Sequence, residues 1–455
     1  MRVSVVLFTS DLRVHDHPPL RAALSEAEAV VPLFVLDTGV HAAGFDAPNR
    51  RAFLADSLAD LDAGLRERGG RLVVRSGEPS AQVAAVVRET GATRVHLAAG
   101  VSGHAQRREE RLRSALSGTG CELRVHDAVV TALPPGAVTP PGNDHFAVFT
   151  PYFRRWAGAG VREPLAAPAR VAVPDVESGP LPSRDVPGAS PAVAPGGETA
   201  GRERARRWLA DGVGAYEDRH DDLPGDATSR LSPFLHFGCL SPVELVHRAQ
   251  QAGGAGPQAF VRQLAWRDFH HQVLAARPHA SAEDYRTRHD RWRSEDDAKD
   301  EVRAWREGMT GYPVVDAAMR QLKHEGWMHN RGRLLTAGFL TKTLYVDWRV
   351  GARHFLRWLV DGDIANNQLN WQWMAGTGTD TRPNRVLNPV AQARRFDPDG
   401  AYVRRWVPEL ADLPGGSIHE PWKLTGPDRE TLDYPAPIVS LTDGLARFKQ
   451  ARGID

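Results

Sequence analysis

The apolar pattern of this chain changes character twice, and each change marks a different kind of packing. In the first third, Val3–Phe8, Val30–Leu36, Arg71–Val74 and Val95–Leu97 are short runs with the length and β-branched content of strands. Helical patterns, Arg51–Arg68 and Ala81–Glu89, lie between them. Strands alternating with helices predict an α/β domain over residues 1–130, a doubly wound, Rossmann-like parallel sheet. Thr9-Ser10-Asp11 follows the first strand where a Gly-x-Gly-x-x-Gly would be needed, so dinucleotide binding of the usual kind is not supported there. From about Val129 to Thr199, Leu133-Pro-Pro-Gly-Ala-Val-Thr-Pro-Pro-Gly142 and the Pro/Ala/Gly-rich run Glu163–Gly197 cannot sustain helix or strand. Residues 131–200 therefore read as a surface connector, interrupted by Phe149-Thr-Pro-Tyr-Phe153. Beyond Gly201 the pattern stays helical. Ser241-Pro-Val-Glu244 opens one helix, with Ser as cap, Pro at the first position and Glu reaching back. Residues 201–455 are expected to form a large all-α domain.

Composition narrows the function classes. With 455 residues, 42% hydrophobic and 25% charged, the chain has material for two or three domains. No apolar run reaches the roughly eighteen residues of a membrane span, and Met1-Arg-Val-Ser lacks the pattern of a signal peptide. Cys121 and Cys239 are the only cysteines, which excludes a disulfide framework and a cysteine-rich metal site. A reducing cytoplasm is the expected compartment. The net charge of +1 requires any nucleic-acid surface to be a local patch. Ten of the twelve tryptophans lie beyond residue 260, so the aromatic chemistry belongs to the helical part.

Two clusters there carry chemistry. Asp361-Gly-Asp-Ile-Ala-Asn-Asn-Gln-Leu-Asn-Trp-Gln-Trp373 suits no ordinary core. As a helix it places Trp371 and Trp373 about 200° apart, so one indole can look inward while the other lines a cleft. Asp361 and Asp363 would sit in its first turn, favoured there but in need of polar partners if buried. Tyr216 and Thr228-Ser-Arg-Leu-Ser232 offer hydroxyls and backbone N–H groups ahead of a helix, a set suited to a diphosphate.

These segments, with Asp11-Leu-Arg-Val-His-Asp16, Phe237-Gly-Cys-Leu-Ser241, Trp266-Arg-Asp268, Gly311-Tyr-Pro-Val-Val-Asp316, Trp327-Met-His-Asn-Arg331 and Thr377-Gly-Thr-Asp380, follow one another in a fixed order. That series resembles the DNA photolyase and cryptochrome family, closest to its class I cyclobutane pyrimidine dimer photolyases. The resemblance implies one bound FAD, with Tyr216, Thr228, Ser229 and Ser232 at its phosphates and Arg230 and Leu231 in the same cofactor-binding set. It implies Asp361 and Asp363 beside the flavin ring, Arg333 paired with the first, Arg267 in polar contact, and Asn367 facing flavin N5. An amide at N5 tolerates the reduced flavin without adding charge. Trp371, Trp348 and Trp292 match a chain of indoles that feeds electrons to the flavin. Trp266 and Trp373 match aromatic walls that clamp a flipped pyrimidine dimer, with Asn330, Arg331 and Gln263 as further lesion contacts. Arg382, Arg385, Arg394, Arg395, Arg404 and Arg405 form a basic series suited to phosphates.

The resemblance implies light-driven splitting of cyclobutane dimers in DNA by a monomer, with no metal; the alternatives are a cryptochrome-type photoreceptor and a 6-4 photolyase. Gln263 stands where dimer photolyases often carry Glu, a feature shared with 6-4 enzymes, whereas His329-Asn330 lacks the His-His pair of those enzymes. Leu334 replaces a usual Met, an apolar exchange. The sequence stops at Asp455, soon after Tyr434-Pro-Ala-Pro437, without a long signalling tail, and this favours the enzyme. A folate or deazaflavin antenna stays open: Leu97-Ala-Ala-Gly100 offers no hydrogen-bonding side chain at the usual place, while Asp37 and Arg50 resemble other antenna contacts.

Overall fold

A computed structural model describes residues 1–454 apart from Ala43, Gly44 and His289. The first part is a five-stranded sheet of β1 (Val3–Phe8), β2 (Ala29–Asp37), β3 (Val73–Gly77), β4 (Arg94–Ala98) and β5 (Glu122–His126). Its spatial order is β3-β2-β1-β4-β5, and each pairing is parallel. β1 is buried along its whole length, as a strand covered on both faces must be. β5 escapes sequence reading because Glu122-Leu-Arg-Val-His126 is an edge with charged residues at alternate positions.

Six helices build and brace the site: α1 (Pro48–Arg66), α2 (Phe149–Ala159), α3 (Ala255–Ala276), α4 (Asn330–Gly338), α5 (Trp348–Trp358) and α6 (Ile364–Ala375). The segment expected as a mere interruption of the connector is the amphipathic helix α2, which buries Phe149, Tyr152 and Trp156. The following Pro-rich run hugs the sheet, with Val30 N–H donating to Ala172 O and Gly179 N–H to Val74 O, both at 2.8 Å. It then crosses to the helical part, where Ala192 N–H donates to His324 O at 3.0 Å.

One apolar cluster ignores any boundary between the parts. Val6, Phe8, Val30 and Phe34 of the sheet pack in it with Phe53 and Leu58 of α1, α2 and Phe234, Leu240 and Phe260 of the helical part. A second cluster belongs to the helical part alone and includes Trp305, Trp348 and Trp371. Ser241 caps its helix by accepting from Glu244 N–H at 3.2 Å. Glu244 does not reach back, because Arg202 takes its carboxylate at 2.7 Å. No helix among the described residues is long and apolar enough to cross a membrane.

Candidate active site

α3 and α6 pack against each other and, with α4 and the Tyr216–Ser232 segment, enclose a cavity of about 450 Å³. α3 presents Gln263, Trp266, Arg267 and His270 to it, spaced i, i+3, i+4, i+7 and hence on one stripe. α6 presents two adjacent stripes, Asn366, Asn370 and Trp373 beside Asn367, Trp371 and Met374. Every lining residue falls between Tyr216 and Met374.

α6 begins at Ile364, so Asp361 and Asp363 lie ahead of it and not within its first turn. Asp363 is the cap: its backbone is extended and its Oδ1 accepts from Asn366 N–H at 2.7 Å. Burial alone would push the Asp363 carboxyl up, but His271, Arg267 and His236 outweigh it and hold the group well below the usual carboxylate range. Asp361 takes Arg333, whose Nη2 donates to both of its oxygens at 3.1 and 2.8 Å, which offsets the cost of burying the carboxylate.

Asn367 Nδ2 donates to Ala352 O at 3.2 Å and to Gln368 Oε1 at 2.9 Å. Both partners are acceptors, so the amide orientation is fixed and Oδ1 is left for the cavity. His270 Nδ1 meets Asn366 Oδ1 at 3.0 Å, while Asn366 Nδ2 donates to Asp363 Oδ1 at 2.7 Å. The imidazole therefore carries its proton on Nδ1, and burial pushes its pKa down to about 4, so it is neutral. Sequence reading missed His270, although its i+7 spacing from Gln263 was a usable signal.

The cavity rim is less committed. Gln263, Asn330 and Asn370 are exposed, and Trp266 and Trp373 are half-buried. Arg331 lines the cavity with its charge already engaged, through an ion pair to Asp221 and a guanidinium 4.3 Å over Phe396. Arg267 is likewise tied down, donating to Val130 O at 2.5 Å and Leu235 O at 3.3 Å.

Tyr216, Ser229, Leu231 and Ser232 also line the cavity, and Ser232 Oγ accepts from Trp327 Nε1 at 3.3 Å. Thr228, Arg230, Trp348 and Trp292 do not line it. Arg230 is turned away: it lies 4.2 Å over Trp327 and pairs with Asp226 at 2.8 Å and Glu325 at 3.1 Å. Its guanidinium therefore does not face the cavity. Trp371 meets Phe355 at 4.9 Å and Trp305 at 6.1 Å between centroids. Trp348 is fully buried, with Nε1 donating to Asp284 Oδ1 at 2.8 Å, and Trp292 lies 4.7 Å from Tyr345. Of the basic series, Arg382 and Arg385 are exposed without an ion pair among the described residues, whereas Arg394 is paired with Glu420 and Arg404 donates to backbone carbonyls.

At the sheet, Asp37 Oδ2 lies 3.2 Å from His104 Nε2, and Arg50 donates to Leu356 O, to Leu359 O at 3.1 Å and to Phe45 O at 2.6 Å. Arg50 thus ties α1 to the end of α5.

Residues 4–169 match the family model for DNA photolyase, and residues 260–452 match that for the FAD binding domain of DNA photolyase. The chain is 68% identical over the full length of both chains to a deoxyribodipyrimidine photo-lyase of Streptomyces griseus. It is 36% identical to that of Escherichia coli strain K12, covering 99% of each chain. A class III photolyase from Agrobacterium tumefaciens superposes with a TM-score of 0.92 at 30% identity, covering 100% of this chain and 97% of the other. Sequence, cavity and fold agree, and the chain belongs to the DNA photolyase family.

Proposed function

We propose that this protein is a light-driven lyase that splits cyclobutane pyrimidine dimers in DNA with reduced FAD, and that the flavin binds wholly within residues 201–455. The observation that carries the reading is one cavity that joins an acceptor oxygen on its wall, Asn367 Oδ1, to two half-buried indoles at its mouth, Trp266 and Trp373. The residues present fit the cofactor. Tyr216, Ser229 and Ser232 would meet its diphosphate, while Asp361, Asp363, Arg333 and Asn367 would meet its ring; the Asp361–Arg333 pair adds no net charge there. When bound and photoexcited, reduced FAD supplies the electron that opens the cyclobutane ring and afterwards recovers it.

The chain's own part is binding, orientation and exclusion of water. Asn367 Oδ1 would accept from a protonated ring nitrogen and so favour the reduced cofactor. Trp266 and Trp373 stack on the extruded bases, Gln263 and Asn330 read their edges, and Arg382 and Arg385 hold backbone phosphate. Trp371, Trp348 and Trp292 would supply electrons to the oxidised cofactor and would take no part in dimer splitting. The reading carries with it a monomer acting on damaged DNA in the cytoplasm.

The test is illumination of the purified protein, loaded with reduced FAD, with oligonucleotides that carry a cyclobutane dimer or a 6-4 photoproduct. Dimers should be restored to intact bases in the light and untouched in the dark. Restoration of the 6-4 lesion alone would transfer the site, Gln263 included, to that chemistry. Restoration of neither would make the protein a photoreceptor.

A further inference from the structure

Trp266 is held by a segment that contributes no wall to the cavity. Phe149, the first residue of α2, lies face to face on its indole, with ring centroids 3.7 Å apart and planes 8° from parallel. Phe269 meets the same indole edge-on at 5.5 Å. One face of Trp266 is therefore covered, and the indole still lines the cavity.

The segment carrying Phe149 is bolted to α3 on one side of that contact. Asp268 accepts from Ala132 N–H at 3.2 Å, Leu133 N–H at 2.9 Å and Trp156 Nε1 at 2.9 Å. One turn further along α3, Gln272 Oε1 accepts from Phe146 N–H at 3.0 Å and its Nε2 donates to Phe146 O at 2.8 Å. Asp268 and Gln272 are both buried, so these bonds are made away from competing water. On the other side, the Arg262 guanidinium lies 4.8 Å from the ring centroids of Phe149 and of Phe153. No carboxylate among the described residues pairs with Arg262, so the two rings are its partners.

An indole free to turn would offer a flipped base its edge as often as its face, and the entropy of fixing it would count against binding. Here the indole is fixed before the ligand arrives. We infer that Phe149 is a positioning residue for lesion capture, holding Trp266 flat so that the extruded base stacks on the one face left open. The inference rests on the reading of Trp266 as a lesion wall. It also gives the Pro-rich connector a part in substrate recognition.

The experiment measures binding of full-length, FAD-loaded protein to an oligonucleotide with one cyclobutane thymine dimer and to its undamaged counterpart, in the dark. F149L keeps an apolar side chain but removes the planar partner, whereas F149Y keeps the plane. F149L should bind the dimer about tenfold more weakly, with undamaged affinity and the rate of cofactor photoreduction unchanged, and F149Y should match the parent. In a W266A background F149L should cause no further loss, because its effect passes through the indole. Parental dimer affinity in F149L, or an equal loss in the W266A background, would overturn the inference. Loss of folding or of bound FAD in F149L would assign the ring to the core and overturn it too. Parental dimer affinity in W266A alone would instead remove the lesion-wall reading beneath it.

Discussion

At the mouth of the cavity Gln263 is exposed and hydrogen-bonds to no other side chain or backbone group among the described residues, so replacing it disturbs no internal bond there. Its worth lies in what it does to a ligand. If its amide oxygen accepts from a thymine N3–H, Gln263→Ala leaves a buried donor on the base unpaired and weakens dimer binding by roughly 1–3 kcal/mol. The melting temperature should not move. Gln263→Glu should keep or raise the repair yield, since a bond to a carboxylate is stronger. Titration of both variants with dimer-bearing DNA, beside their melting curves, checks this; a loss of stability without a loss of affinity would contradict it. Which residues line the cavity was partly legible in the sequence, though Thr228, Arg230, Trp292 and Trp348 do not line it. Residue direction was not: Arg230 and Arg331 sit in motifs that suggest ligand contact, yet each spends its charge on neighbours, Arg230 on Asp226 and Glu325, Arg331 on Asp221. Such pairings depend on distant chain segments that local sequence does not bring together.

Among the elements, α5 and α6 fit each other through a missing side chain. A Cβ on Gly351 of α5 would lie 2.1 Å from Trp371 Cη2, so only glycine lets the two helices close with that indole between them. Trp371 is thereby pressed against Phe355 and away from solvent at the cavity wall. Trp371→Phe should leave FAD bound and repair by chemically reduced cofactor intact, while photoreduction of oxidised FAD is lost. Time-resolved absorption after a light flash reads this directly, and equal photoreduction in variant and parent would exclude the indole from the path. Trp305, which also touches Trp371, is a neighbour that sequence spacing did not single out. Strong elements were easy to read, such as β1 with its unbroken apolar run and the helix opened by Ser241-Pro242. Weak ones were lost for physical reasons: β5 is a half-buried edge, and α2 is a short helix with Pro151 in its first turn inside a Pro-rich region.

Across the whole molecule, two motifs far apart in the sequence turn out to be one contact. Arg13, in the turn after β1, is fully buried and spends its guanidinium on backbone carbonyls: Gly238 O, Val129 O and Asp16 O at 3.0 Å each, and His15 O at 3.1 Å. Leu12 N–H donates to Phe237 O at 3.1 Å beside it. Gly238 has φ +66°, and a Cβ there would lie 2.0 Å from Ser10 O, so the two turns need a glycine to meet this closely. Around the arginine, Asp16 is paired with Arg162 and bonded to Ser241, and Glu198 accepts from Val14 N–H at 2.7 Å and His15 N–H at 3.1 Å. The turn after β1 is thus a clamp that joins the sheet, the connector and the helical part, set over the apolar cluster they share. Arg13→Ala would strand the buried Gly238 and Val129 carbonyls, at a cost of roughly 1–3 kcal/mol for each acceptor left unpaired. Because the damage lies at the junction and not around the cavity, the expected result is a lower and divided thermal transition: the sheet should melt before bound flavin is released, where the parent loses both together. Far-ultraviolet circular dichroism and flavin fluorescence followed on one sample would show it. A variant whose two signals still coincide at the parental temperature would mean that the shared apolar face alone holds the parts together.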